Sequence, residues 1–185
     1  MICENFIGNS KGLINVGVEG RDQFGCQVTS FNTMPNHQFD CTNSGQPFCG
    51  TNYNNNHFNY VCIGDKDEVI GSRQFASLAT LIKDRGLAQK HIILKIDCEG
   101  CEYPGFQSFP IADLDYIDMI VAEFHFDTIS RETWGQLDIF RTIMTKFVNV
   151  NLHMNNFGCM SNNRKLRSRA IEVTLVNKKL ITLYS

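Results

Sequence analysis

The sequence predicts an α/β domain built on a largely parallel sheet. Near-continuous apolar runs alternate with segments of helical period through the middle of the chain, and strand-like segments close it. The second observation concerns placement. Three groups of chemistry-bearing residues, Gly17 to Gly20, Asp97 to Glu102 and Glu123 to His125, fall at expected strand ends. Sheets of this class bind ligands in the crevice beyond those ends.

Taken in order, "GLINVGVEG" (residues 12–20) reads as a buried strand running into a glycine turn. "CQVTSFN" (26–32) alternates and is rich in β-branched residues, so it reads as a second strand. Residues 33–57 are dominated by Asn, Gly, Pro, Thr and Ser, a composition that supplies no core face, and read as a long surface loop. "FNYVCIG" (58–64) is the third strand. Within residues 73–87 the period changes: Phe75, Leu78, Leu81 and Ile82 stand at helical spacing, with Gly86 as the stop. Residues 91–97 and 116–126 are apolar strands of the kind buried on both faces. A helix follows around residues 133–147. Strands at 148–155 and 170–185 end the chain, the last turning as a hairpin at 177–179. With no repeat and no linker, residues 1–185 read as a single domain. Only "RDQFG" separates the first two expected strands, whereas a parallel crossover needs a dozen or more residues. The N-terminal crossover helix is therefore expected to be missing.

Composition narrows the function classes. The chain is 43% hydrophobic and 19% charged, with a formal net charge of −2. That balance gives no electrostatic reason to expect a nucleic-acid partner or an anionic membrane. No apolar stretch approaches the roughly 20 residues needed to span a bilayer, and residues 1–12 have neither the basic leader nor the apolar centre of a signal peptide. Eight cysteines are compatible with disulfides in an oxidising compartment, and Cys41 and Cys49 bracket a turn-rich loop that a disulfide would close. Cytoplasm (by default) and secretory pathway both stay open.

The expected strand ends carry the chemistry. In "VGVEG", Gly17, Glu19 and Gly20 form a turn that lets a ligand approach the backbone, although the full G-x-G-x-x-G dinucleotide fingerprint is absent. In "DCEGCE", Asp97 ends a buried strand, and Glu99 and Glu102 project from a turn made possible by Gly100. Such carboxylates can bind hydroxyls or amines, hold a divalent cation, or act as a general base. Cys98 and Cys101 form a C-x-x-C, but neighbouring acids raise thiol pKa values, contrary to what a reactive thiolate needs. A zinc site needs four ligands and there is no second C-x-x-C; His153 and Cys159 are distant in sequence, so no metal site is expected. Glu123 and His125 share one side of their strand by its period of two, a pair suited to base or substrate contact. His153, Asn155 and Asn156 add polar groups near the end of a later strand.

These residues also carry a family likeness. "LKIDCEGCEYPGF" resembles the "LK(I/M)D-x-EG-x-E" signature of FkbM-like S-adenosylmethionine-dependent methyltransferases. "SLATLIKDRG" resembles the helix that precedes it there, "IVAEFHF" the strand that follows, and "VNLHMNNFGC" with "AIEVTLVNK" the closing strands of eukaryotic members. The likeness runs from about Tyr60 to the C-terminus. It implies a Rossmann-like class I methyltransferase sheet, mostly parallel with an antiparallel C-terminal strand, and S-adenosylmethionine over Gly17 to Gly20. Asn32 aligns with the acid that binds the ribose hydroxyls. Gly64 and Asp65 match the segment near the adenine, and Asp97 the residue that orients cofactor or acceptor. Glu99 and His125 are implied as proton acceptors, with Glu102, Glu123, His153 and Asn155 on the acceptor side. The cysteines stand where small apolar residues are usual. The implied reaction is O-methylation of a sugar or other small hydroxylated acceptor.

Two other readings accompany this one. With Asn32 in place of an acid and the crossover missing, the chain reads as a catalytically degenerate methyltransferase-fold protein that binds a glycan or protein partner. The C-x-x-C leaves a thiol-redox or zinc module as the third.

Overall fold

Strands β1 (Leu13–Val16) and β7 (Ile92–Ile96) sit side by side in parallel, Leu13 opposite Ile93 and Ile14 opposite Leu94. Their side chains alternate between two apolar layers. Ile14, Val16, Leu94 and Ile96 join one, while Leu13 and Ile93 join the other with Met119 and Val176. A sheet covered on both faces favours such largely apolar strands, broken here by Asn15 of β1 and Lys95 of β7. The structure is a computed structural model and describes residues 7–43, 45–49, 55–126, 131–155, 160–162, 165–167 and 170–182.

Along the chain, α1 (Gln23–Phe31) and β2 (Asn36–Phe39) follow β1. Then come β3 (Asn56–Asn59), β4 (Cys62–Gly64), β5 (Glu68–Ile70), β6 (Arg73–Ser77) and α2 (Leu78–Asp84). After β7 stand α3 (Glu102–Gln107), a 3-10 turn (Ile111–Tyr116), β8 (Ile117–His125), α4 (Arg131–Lys146) and β9 (Phe147–Asn155). The last elements are β10 (Met160–Asn162), β11 (Lys165–Arg167), β12 (Ala170–Asn177) and α5 (Lys178–Thr182). Seven strands form one sheet in the order β3-β2-β1-β7-β8-β12-β9. Its pairings are parallel except those of β12, which runs antiparallel to both β8 and β9. The mostly parallel sheet with an antiparallel last strand is the expected one. Leu78, Leu81, Tyr103, Phe106 and Ile143 of α2, α3 and α4 cover one face; Val28 of α1 and Met34 cover the other.

The N-terminal third differs from expectation, and the cause is a polar core. The crossover helix is present: it is α1, the segment read as a second strand. Asp22 is its N-cap and accepts a hydrogen bond from the Gly25 amide at 2.7 Å. Gly25, Val28 and Thr29 fall on one buried helical face. Thr29, which suggested a strand by its branching, sends its hydroxyl back to the Gly25 carbonyl at 2.8 Å. The second strand is instead β2, inside the expected surface loop, and β3 begins within that loop too. Asn36 and Gln38 are fully buried. Their amides reach the Asp22 carboxylate at 2.7 and 2.6 Å, joined by Asn15 of β1 at 2.9 Å, and Asn36 also meets Asn56 of β3 at 2.6 Å. A buried carboxylate replaces water for these amides, so polar composition did not mean exposure.

Smaller differences have local causes. The expected third strand breaks at Tyr60 into β3 and β4, which belong to different sheets. Residues 73–77 form a strand, and the helix begins only after Ser77, whose hydroxyl caps the Thr80 amide. Instead of a hairpin at residues 177–179 the chain enters α5, with the Asn177 side chain accepting from the Lys179 amide at 3.1 Å. Disulfides join Cys26 to Cys49, Cys41 to Cys62 and Cys98 to Cys101, so the expected Cys41–Cys49 pairing is replaced. Cys159 lies outside the described residues.

Replacing Asp22 with Ala removes a helix cap and strands three buried amides, at roughly 1–3 kcal/mol per orphaned donor. Urea unfolding should show a loss on the order of 4 kcal/mol or more. A second outcome concerns His37 of β2, stacked on His57 at a centroid distance of 5.2 Å. Burial, then His57 and Arg85, lower its pKa from an ordinary 6.5 to about 4. The unfolded chain therefore binds the proton first, and stability should fall as pH drops from about 6.5 to about 4. Urea midpoints across that window measure the slope, which His37→Gln should flatten.

Candidate functional site

A cavity of about 840 Å³ opens at the carboxyl ends of β1, β2, β7 and β8. Its volume falls in the range of small-molecule and cofactor sites. Gly17, Val18 and Glu19 form one wall, Phe39 and Asp40 a second, Cys62, Ile63 and Phe75 a third, and Asp97, Glu99 and Glu123 the acidic end. A second cleft, of about 460 Å³, lies between α3 and α4 among Tyr103, Phe106 and Ile139, away from the strand ends.

Gly17 leaves β1 with φ +70°, and a Cβ there would lie 1.5 Å from the Asp97 carbonyl oxygen. Only glycine lets the β1 turn pass so close to the end of β7. Lys95 binds the same two strands, donating to the carbonyls of Val16 at 3.2 Å and Gly17 at 2.7 Å, with Asp97 Oδ2 at 3.6 Å.

At the end of β2 stands Asp40, which lines the cavity, whereas Asn32, aligned by the resemblance with the ribose-binding acid, lies elsewhere. The Asp40 Oδ1 accepts from the Thr42 amide and hydroxyl and from the Asn43 amide, which orients the carboxylate. Asn32 caps the far end of α1 and donates to the carbonyls of Ile7 and Ser10, at the amino edge of the sheet. A helix between β1 and β2 reverses the chain, so the residue after the helix and the residue after the strand lie at opposite edges. Asp40 follows Gly17 by about the 20 residues usual for a ribose-binding acid, a signal hidden by reading residues 33–57 as loop.

The acidic loop is tightly organised. The Cys98–Cys101 disulfide closes it, Glu99 takes φ +55° and Gly100 φ +113°. These cysteines do more than fill small-residue positions: they set the turn from which Glu99 and Glu102 diverge. Glu99 points outward and lines the cavity, whereas Glu102 is fully buried. Glu102 Oε1 accepts from the Cys98 amide at 3.0 Å and meets His125 Nδ1 at 2.9 Å. His125 Nε2 lies 3.5 Å from Glu99 and 3.7 Å from Glu123. The hydrogen bond to Glu102 holds the imidazole pKa up at about 9, against a burial effect that lowers it. His125 thus carries its proton at neutral pH and stands behind the cavity wall. Burial pushes the Glu123 carboxyl above its ordinary value, while Asn155 donates to its Oε1 at 2.7 Å.

The remaining expected residues divide. Asn155 lines the cavity. Gly20 closes the β1 turn beside it, and Gly64 and Asp65 lie just past the cavity-lining residues of β4. His153 shares a face of β9 with Asn155 but does not line the cavity, and it lies 3.5 Å from Glu172. Asn156 lies outside the described residues.

No protein-family model and no curated protein sequence matches the chain. Among solved structures the fold is similar to the Methanococcus jannaschii fibrillarin pre-rRNA processing protein, with a TM-score of 0.50 and 6% identity over 93% of this chain and 68% of that one. A methyltransferase candidate from Thermobifida fusca YX aligns over 95% of this chain and 77% of that one, with 7% identity and a TM-score of 0.41. At these identities the likeness concerns architecture, and the architecture is the Rossmann-like methyltransferase fold.

Gly17→Ala should cost roughly 2–5 kcal/mol in thermal or urea unfolding, from backbone strain plus the clash with Asp97. Gly20→Ala, whose Cβ meets nothing within 4 Å, should stay within about 0.5 kcal/mol of the parent.

Proposed function

We propose that this chain is an S-adenosylmethionine-dependent methyltransferase of FkbM-like type that methylates an oxygen of a hydroxylated small molecule or glycan. The observation that carries the reading is one cavity at the strand ends joining the Gly17 turn, the Asp40 carboxylate and the acidic loop. The donor set suits the cofactor. Asp40 matches a ribose diol, the apolar walls of Phe39, Ile63 and Phe75 match a flat base, and Glu19 and Asp97 match an ammonium group. When bound, the cofactor supplies an activated methyl group for in-line transfer.

The chain's own part is to position and to take a proton. Asn155 holds Glu123, and the disulfide-closed loop holds Glu99, so two carboxylates face the acceptor side of the cavity. Either lies where it can receive the proton released by an acceptor hydroxyl. His125, already protonated, orients Glu102 and the loop instead. The crossover helix α1 and the cavity-lining Asp40 support the catalytic reading over that of a degenerate binding protein. Three disulfides favour an oxidising compartment.

Calorimetry with S-adenosylmethionine tests the reading. Micromolar binding is expected, weakened about tenfold or more in Asp40→Asn, which keeps the turn acceptor but loses the charge. Absence of binding by the folded protein at millimolar cofactor would sink it.

A further inference from the structure

We propose that Asp97, Glu102 and His125 form a site for a first-row divalent cation of the Mn²⁺ type, at the acidic end of the cavity. The potential ligand atoms of the three residues all lie within 4.8 Å of one another. Cis ligands of an octahedral ion bound at about 2.1 Å stand about 3.0 Å apart and trans ligands about 4.2 Å. The 2.9 Å between His125 Nδ1 and Glu102 Oε1 matches a cis pair.

An independent observation points to a ligand. Glu102 has no exposed surface, and its Oε2 is buried with no hydrogen-bond partner among the described residues. A buried carboxylate oxygen left without a partner costs free energy that a bound cation would offset. The setting is strongly anionic. Glu99 and Glu123 stand 3.5 and 3.7 Å from His125 Nε2 as outer carboxylates, and Lys95, which donates to the β1 carbonyls, also lies 3.6 Å from Asp97 Oδ2, a contact the ion would replace.

Two carboxylates and one imidazole leave several coordination positions open, a donor set that suits Mn²⁺ or Fe²⁺ better than an all-thiolate or all-oxygen cage would. Binding replaces the proton between His125 Nδ1 and Glu102 Oε1 with the ion and releases that proton to solvent. Of the three, Asp97 lines the cavity, so it is on the Asp97 side that the ion would meet an acceptor. There the ion would coordinate the acceptor hydroxyl and ease its deprotonation. This role rests on the methyltransferase reading, whereas the ion site does not.

Titration of the whole chain with Mn²⁺, followed by loss of the free-ion electron paramagnetic resonance signal, tests the site. One ion should bind with a submillimolar Kd. Asp97→Asn and Glu102→Gln should each weaken binding tenfold or more, and Glu68→Gln on β5 should leave it unchanged. Asp97 is partly exposed and its variant is expected to fold, so Asp97→Asn decides the matter if Glu102→Gln does not fold. An undiminished free-ion signal at millimolar protein, or equal binding by parent and Asp97→Asn, overturns the proposal. Cofactor binding without Mn²⁺ binding removes the ion site alone. Mn²⁺ binding without cofactor binding removes the methyltransferase reading and leaves the ion site standing.

Discussion

The N-terminal half of this fold depends on one buried carboxylate. Asp22 is 3% exposed, yet it caps α1 and receives the side-chain amides of Asn15, Asn36 and Gln38. Through Asn36 the network reaches Asn56, so β1, β2, β3 and the crossover helix are tied at a single point. A buried charge is costly unless its acceptor sites are filled, and four donors fill these. The same constraint explains why α1 can approach the sheet closely. Gly25 leaves no room for a Cβ, which would lie 2.1 Å from the Asp22 carboxylate.

This polar core has a consequence for the cavity. Holding β2 beside β1 brings Asp40 level with the Gly17 turn, since the two strands run parallel with Val16 opposite Phe39. The Cys41–Cys62 disulfide then ties the residue after Asp40 to β4, on a third side of the same cavity. Across the crevice, the Cys98–Cys101 loop sorts its two glutamates by burial: Glu99 outward, Glu102 inward beneath His125. The cavity therefore has a largely apolar side with Asp40 at its edge and a side rich in carboxylates, held by different parts of the chain.

The acidic wall shows how neighbours change a residue's chemistry. As a residue type His125 suggests a base. The hydrogen bond to Glu102 raises its pKa to about 9, so it holds a proton at neutral pH until a metal cation displaces it. Glu99 and Glu123 line the cavity, while the buried Glu102 organises charge behind them.

The amino-acid sequence by itself determined the central strands and the helices α2 and α4 beside them in the C-terminal two-thirds, though not the strand at residues 73–77 or the closing helix. Largely apolar runs such as Ile92–Ile96 and Ile117–His125 read as strands, because a strand buried on both faces is mostly apolar. The acids Asp97, Glu99 and Glu123 were legible for the same reason: they follow or punctuate those strands. Only the tertiary structure decided the N-terminal third. Asn36 and Gln38 look like loop residues until Asp22 is placed beside them, and residues 23–31 look like a strand until Asp22 caps them. The pairing of the cysteines and the position of Asp40 at the cavity were hidden likewise. Periodicity reports burial against apolar neighbours, whereas a polar core is assembled from residues distant in sequence, whose hydrogen bonds exist only once the chain has folded.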